Sequence, residues 1–547
     1  MSLVNVTLFL IVINDACRIT EPPVITRIFA DDITIICKGK SLNTSQHTIQ
    51  SALNKLHDWS KNNGLKFTAT KTECILFSNH HEAQMPVLKL GTNLLRSVTC
   101  TKLLGVFFDS KLTWSNHINN LADNCKQRIK IIKSLAHNNW GADKTVLLQA
   151  YKAIVRSKID YASVIYDSAK PNLLRKLDVI HNMGLRIATG SFHTSPIGSI
   201  MIEAGKTSLQ HRRKLLSIKY AARASTSTNP IIYGDIFSRN RHQAEHQAGK
   251  ITSSQRIKSY LSELEFSLPD MEKSRFHNAP PWTLNALGLD LSLVGNKKEE
   301  LTTEEWKRRF NTLCDKYPDF IHIYTNGSKN KFGTGAAMVT QNETTKLGLN
   351  PFNSILTAET YALLLALNFI DNSLYSKFII FSDSLSTILK IQNTKQTMEM
   401  YIVIQEIYDR LIKARKTIIV AWILSHVDIH GNVMADLEAK IASTLHMESQ
   451  SLLNTSVDII QHIKSLWKQP WNRTWRNYKA SPLHKSIDNF YDLTTNLNFN
   501  RKQQVAITRI RTGHSKLSHS HLLNNSHPSL CEICNTPLTI NHIILEC

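Results

Sequence analysis

Nowhere in the 547 residues is there an apolar run long enough to cross a bilayer. A spanning helix needs about 20 such residues, and the opening Val6-Thr-Leu-Phe-Leu-Ile-Val-Ile13 stops well short. No basic residue precedes it, as a secretory signal would require, so it reads as a buried strand or helix. The chain is expected to be intracellular, nuclear or cytoplasmic, and neither secreted nor bound to membrane. Cysteine is also sparse. The nine Cys are scattered apart from a final cluster, which fits a reducing compartment and excludes a disulfide framework. Acid is the third shortage, with 43 Asp+Glu against 65 Lys+Arg and a net charge of +22. Polyanions attract such a surface because each neutralised phosphate releases counterions, although charge that only confers solubility gives the same number. No repeat or low-complexity tract is visible, and 42% hydrophobic residues exclude wholesale disorder. The length accommodates roughly three or four domains.

Between Asp319 and Ala442 the chain becomes locally informative. Phe320-Ile-His-Ile-Tyr324 alternates as a strand and leads into Thr325-Asn326-Gly327-Ser328; Gly333 to Val339 supplies a second strand. Thr357 to Ile370 carries apolar residues at helical spacing, with Glu359 in its first turn. Lys377 to Ser382 is a buried-type strand with Asp383 at its tip, and a short helix starts near Ser384. Thr417 to Ile423 is a further strand delivering Ser425-His426, and Gly431-Asn-Val-Met-Ala-Asp436 opens a last helix.

That order resembles the ribonuclease H domain, whose pattern runs TDGS, AE, SDS, SH and GN-x-x-AD. The resemblance implies a mixed five-stranded sheet with helices, and cleavage of RNA in RNA/DNA hybrids by a two-Mg²⁺ site. Such chemistry needs carboxylates from separate elements converging on hard cations. The matching positions are Asn326, Glu359, Asp383 and Asp436, with His426 assisting proton transfer. Asn326 stands where the family has Asp. An amide brings no charge, so the resemblance implies a weak or inactive nuclease, and a non-catalytic nucleic-acid-binding relic is the alternative. Asn326 precedes Gly327, a pairing prone to deamidation that would restore some Asp. Asp428 and His430 occupy loop positions where Gly and Pro are usual; Asp428 is either an extra carboxylate or a solvated turn residue.

The N-terminal residues hold a second pattern. Ile25 to Phe29 and Ile33 to Cys37 are β-prone runs flanking Ala30-Asp31-Asp32, a hairpin that raises two adjacent carboxylates. With Leu8 to Asp15 before it, Gly64 to Phe77 and Leu103 to Trp114 after it, this resembles the palm of non-LTR, jockey-like retrotransposon reverse transcriptases. The resemblance implies a partial palm over 1–115 entered midway, with Asp31 and Asp32 lacking their partner carboxylate and DNA synthesis not expected. Residues 116–225 read as helical, apolar residues recurring from Ile118 to Leu135, Thr145 to Ala162 and Leu173 to Ile187, the last closed by Gly190. By position they resemble a thumb and connection. Lys126, Arg128, Lys130 and Lys133 either track a duplex backbone or form an ordinary solvated face.

Residues 226–300 accumulate Ser, Asn, His and Pro and read as a linker. The domain over 301–446 starts with a capped helix at Leu301-Thr-Thr-Glu-Glu-Trp306. Residues 447–547 read as a basic helical segment, in which Trp467, Trp471 and Trp475 form a stripe suited either to base stacking or to core packing. Arg501, Lys502, Arg509 and Arg511 extend its basic character. Cys531-x-x-Cys534, His542 and Cys547 offer three thiolates and an imidazole, a tetrahedral Zn²⁺ set that resembles the terminal knuckle of insect-type retroelement polyproteins. The fold expected is therefore multidomain α/β, with nucleic acid, above all RNA/DNA hybrid, as partner.

Overall fold

The computed structural model describes residues 3–78, 84–229, 232, 236, 252–274, 276–295, 301–393, 395, 398–444, 454–478, 499–524, 526–540 and 542–547. The chain divides into two compact units. One holds the described residues up to Leu209 together with those from 499 onward; the other holds the described residues from Gln210 to 478. Among the described residues no helix is long and apolar enough to cross a membrane.

In the first unit, Val24–Phe29 and Asp32–Cys37 form an antiparallel hairpin in which Phe29 pairs with Asp32. Ala30 takes the left-handed conformation the tight turn demands (φ 52°). Helices Ser115–Leu135 and Pro171–Thr189 pack together through the periodic apolar positions read from sequence, Ile118, Cys125, Ile129 and Ile132 being buried on the first. Gly190 ends the second helix at φ 73°. The basic residues near the chain end do not simply add to a charged surface. Arg501 donates to the carbonyls of Ala188 (2.7 Å) and Ile187 (3.1 Å), and Arg509 Nε donates to Gly190 O (3.0 Å). Both cations thus satisfy orphan carbonyls at a helix C-terminus, where the macrodipole favours positive charge.

The apolar opening is a helix, Leu3–Asn14, in which Leu8 and Ile11 are more than half exposed and, among the described side chains, only Ile13 is buried. Its residues are apolar on every side, so no single face can be matched to a core.

The second unit is built on one mixed sheet. Its elements, in chain order, are α1 (Ser253–Glu263), β1 (Gly288–Asp290), α2 (Thr303–Asp315), β2 (Ile321–Lys329), β3 (Thr334–Val339), β4 (Thr344–Leu349), α3 (Ile355–Asn372), β5 (Lys377–Ser382), α4 (Leu385–Gln392), α5 (Glu399–Lys413), β6 (Thr417–Trp422), α6 (His430–Ala442), α7 (Ser456–Leu466) and α8 (Lys468–Arg476). The sheet order is β4-β3-β2-β5-β6-β1, six strands rather than the five expected. Strands β2, β3 and β4 pair antiparallel, while β5, β6 and β1 continue from β2 in parallel. The parallel strands are buried on both faces, Phe378 to Phe381 being inaccessible, because α3 and α5 cover one side and α2 the other.

The extra strand corrects the reading of 226–300 as linker. Gly288–Asp290 adds to the sheet edge beside β6, and α1 carries a complete capping box at Thr252 and Gln255. Ile257 and Leu261 of α1 share a core with Ile218, Ile459, Ile463 and Trp467. These elements escaped notice because each is short and gains its stability from distant partners rather than from its own periodicity. The tryptophan stripe resolves the same way: Trp467 and Trp475 are core residues, and His211 packs against the rings of Trp467 and Trp471.

Candidate active site and cysteine–histidine cluster

Strand β2 carries Asn326 in its interior, where it pairs with Ala337, and Thr325 pairs with Ser382 of β5, so Asn326 lies beside Asp383, which follows the end of β5. The Asn326 amide Nδ2 donates to Asp383 Oδ2 at 3.5 Å. Asn326 is itself buried within the strand. Its peptide link to Gly327 is held in the β2–β3 ladder, a geometry that keeps the Gly327 nitrogen from swinging onto the side-chain carbonyl as deamidation requires.

Helix α3 begins two residues earlier than the sequence suggests, capped by Ser354, whose Oγ accepts from Thr357 N; Glu359 therefore sits in the second turn. It faces β2 at close range because residue 327 is glycine. A Cβ there would stand 2.5 Å from Glu359 N and 2.8 Å from Ala358 Cβ, so any other side chain would drive helix and strand apart. The Glu359 side chain is buried, and its Oε2 has no hydrogen-bond partner. Burial pushes its pKa well up, the Asp383 and Asp436 charges push it further, and a hydrogen bond from Gly327 N–H works against them.

Asp383 is half-buried at the tip of β5, where its backbone carbonyl accepts from Trp422 Nε1 (3.0 Å). Burial raises its pKa and Asp436 adds to the rise, while the Asn432 side chain and His426 favour its charged form. Asp436, on α6, is engaged by Lys440 Nζ at 2.6 Å one turn along the same helix. His426 is exposed in the left-handed conformation (φ 57°). Asp428 is likewise left-handed (φ 55°), points to solvent and pairs with Lys307 (3.4 Å). It is a solvated turn residue, and His430 is an exposed first residue of α6.

Four elements thus bring Asn326, Glu359, Asp383 and Asp436 together, with His426 beside Asp383. Three carboxylates, of which Asp383 and Asp436 raise the pKa of Glu359 and Asp436 that of Asp383, one with a buried oxygen left unpartnered, form a donor set that a hard divalent cation satisfies. The set is loose: among the described residues, only the terminal cysteine–histidine cluster gathers three or more such ligand atoms within 4.8 Å. Sequence reading missed Asn432, whose buried Oδ1 is also unpartnered, although it lies inside the GN-x-x-AD pattern. It missed Lys440 as well, for which spacing four residues after Asp436 was the signal. Asp31 and Asp32 are both exposed, one in the turn and one opening the second hairpin strand, with no third metal-ligating group gathered about them among the described residues.

At the chain end, Cys531, Cys534, His542 and Cys547 offer ligand atoms all within 4.8 Å of one another. Cys531 Sγ to Cys547 Sγ is 3.7 Å and Cys534 Sγ to Cys547 Sγ is 4.0 Å. A tetrahedron with Zn–S bonds of about 2.3 Å has edges of about 3.8 Å. The first two cysteines sit on a tight turn: Cys531 N bonds Thr536 O, Asn535 N bonds Cys531 O, and Asn535 is left-handed (φ 53°). That turn aims the Cys534 and Ile533 N–H groups at the Cys531 sulfur, and with the His542 ring they lower its thiol pKa to about 6. The neighbouring sulfurs push Cys547 up to about 11. His542 Nε2 is buried with no hydrogen-bond partner, as a nitrogen reserved for a metal would be.

The mixed sheet, its covering helices and the acids gathered from the tip of β5 and from α3 and α6 are those of an RNase H domain, and residues 318–444 match the RNase H family model. The chain is also similar to RNA-directed DNA polymerases and Pol polyproteins of non-LTR retrotransposons. It is 25% identical over 174 residues to the polymerase of mobile element jockey from Drosophila melanogaster, and 27% identical over 180 residues to that from Drosophila funebris. Each match covers 32% of this chain and 19% of the relative. A Pol polyprotein of the type-1 retrotransposable element R1 from Nasonia vitripennis is 24% identical over 153 residues, 27% of this chain and 40% of that protein. The matches therefore span about a fifth to two fifths of these relatives.

Proposed function

We propose that the RNase H domain is a divalent-metal nuclease acting on the RNA strand of RNA/DNA hybrids, weakened by Asn326, within a retrotransposon polyprotein fragment. Glu359, Asp383 and Asp436 are the Mg²⁺ ligands and Asn326 is a neutral fourth corner. When bound, the cation pair supplies an activated water and stabilises the leaving oxygen. The protein's own work is to hold the acids. Gly327 lets Glu359 approach β2, Asn432 favours the charged form of Asp383, and Lys440 pairs with Asp436. His426, exposed beside Asp383, is placed to pass protons to or from the scissile phosphate.

The observation that carries this reading is a buried, unpartnered Glu359 carboxylate oxygen on which the charges of Asp383 and Asp436, from two other elements, act. It is tested by Mg²⁺-dependent cleavage of an RNA/DNA hybrid by the full chain, beside Asn326→Asp and Asn326→Asp/Glu359→Gln. Cleavage that is weak in the first, strong in the second and absent in the third supports it. No cleavage by any of the three, with hybrid binding retained, would establish instead the non-catalytic binding role that the neutral Asn326 and the net charge of +22 favour. Cys531, Cys534, His542 and Cys547 hold one structural Zn²⁺ in the same reading. Asp31 and Asp32 belong to the reverse-transcriptase palm in the same reading.

A further inference from the structure

The RNase H domain matched by family ends at residue 444, yet the helix that carries Glu359 is held from outside it. Asp458, in the first turn of α7, is buried, and its Oδ2 accepts from the equally buried Thr357 Oγ1 at 2.6 Å. Thr357 also receives the cap of α3: its N–H reaches Ser354 Oγ at 3.3 Å, and its hydroxyl lies 3.1 Å from the same oxygen. Helix α7 starts at the same place, Thr455 Oγ1 accepting from Asp458 N. One carboxylate therefore stands at two helix N-termini, where both macrodipoles favour its charge.

The geometry makes this more than a tether. Positions 357 and 359 are about 200° apart around a helix that turns 100° per residue, so Thr357 and Glu359 lie on opposite faces of α3. Gly327 meets the Glu359 side through close backbone contact; Asp458 grips the other side. Two opposed contacts at one level of a helix fix its rotation, and rotation decides where the Glu359 carboxylate lands. A charge-assisted hydrogen bond between two buried groups is short and directional enough for that task.

We propose that Asp458 is a positioning residue for the nuclease site: acting through Thr357, it sets the rotation of α3 and so the aim of Glu359 toward Asp383 and Asp436. This rests on the metal-site reading above. It also gives the segment beyond residue 444 a role in that site, since the helix α7 that supplies Asp458 is anchored by Ile459 and Ile463 in the core shared with α1.

The test is a Mg²⁺ titration of the full chain in the Asn326→Asp background, read as the Mg²⁺ concentration giving half of the thermal shift. Asp458→Asn and Thr357→Val should each raise that concentration by about tenfold or more, the usual cost of losing an outer-shell partner of a metal ligand. The double variant should be no worse than either single, because both break the same link, and Thr357→Ser, which keeps the hydroxyl, should restore the original value. A merely stabilising role would lower the melting temperature in chelator without moving the half-saturating Mg²⁺. That result, or additive effects of the two substitutions, overturns the proposal while leaving the metal site standing. A Mg²⁺ response that is absent, or that survives Glu359→Gln, overturns both.

Discussion

Replacing Asn326 with Asp should make the protein less stable without metal and more responsive to it. The new carboxylate oxygen would take the place of an amide nitrogen 3.5 Å from Asp383 Oδ2. Two charges at that separation repel by about 5 kcal/mol at an effective dielectric of about 20. Protonation sets a lower ceiling. Keeping one acid neutral at pH 7 against an ordinary pKa near 4 costs about 4 kcal/mol at 1.36 kcal/mol per unit, and the smaller figure governs. At roughly 2–4 °C per kcal/mol for a unit of this size, the variant should melt about 8–16 °C below wild type in EDTA at pH 7. The gap should close as pH falls towards about 4, because the ceiling shrinks with every unit. Saturating Mg²⁺ should reverse the order, since a cation between the two carboxylates converts their repulsion into attraction. The assay is thermal unfolding of both proteins across pH with EDTA or Mg²⁺. Equal melting temperatures in EDTA, or equal Mg²⁺ shifts in both proteins, would refute the claim that these groups share one charged site.

Glu359 has a folded pKa raised above its unfolded value, so the folded state holds the proton more tightly. In EDTA its contribution should be fully present below about pH 4.3 and lost as pH rises; Glu359→Gln should flatten that fall in melting temperature and abolish hybrid cleavage. Glu272, whose carboxyl burial and the nearby acids push up to about 7, accepts a hydrogen bond from Met400 N at the start of α5. Glu272→Gln keeps the acceptor, so it should match wild type near pH 4.5 and exceed it by about 3 kcal/mol at pH 8 in denaturant melts. Gly327→Ala should destabilise by roughly 1–3 kcal/mol, because the atoms it meets are the backbone and the Ala358 Cβ of a packed helix, and should weaken the Mg²⁺ response along with the fold. Metal analysis of the purified chain should find one Zn²⁺ per protein, lost on Cys531→Ser or His542→Ala but kept on Cys125→Ser, which lies in a helix core far along the sequence.

Which parts of this were legible in the sequence follows from how far each residue's reason to exist lies from it. Asp383 could be read because a buried strand ends in a carboxylate, a break in pattern that occurs within a few residues. Cys531 and Cys534 could be read for the same reason, two thiols on one turn. The Ile118 to Leu135 helix was legible through its own period, and it buries Ile118, Cys125, Ile129 and Ile132 while Leu135 at its end is exposed. Gly288–Asp290 was not, because three residues carry no period and its partner β6 is more than a hundred positions away. The tryptophan stripe had two readings until its neighbours were known, since spacing fixes only that the rings share a helix face and says nothing about what that face meets.

Asp458 marks the limit most sharply. Nothing near it in the chain distinguishes it from a first-turn acid that merely favours its own helix, which it also is. Its second role exists only because α7 starts where α3 starts, a coincidence of two helix ends about a hundred residues apart. The same holds for Lys440, whose pairing with Asp436 reads as an ordinary i, i+4 support on a helix until the facing acids are placed. There the pair becomes a competitor for metal. Lys440→Ala should cost about 0.3–0.5 kcal/mol of stability, the worth of an exposed helical pair, yet lower the half-saturating Mg²⁺ of the Asn326→Asp protein, because Asp436 no longer has to give up one cation to take another. A Mg²⁺ requirement unchanged by Lys440→Ala would show that Asp436 does not belong to the metal's ligand set.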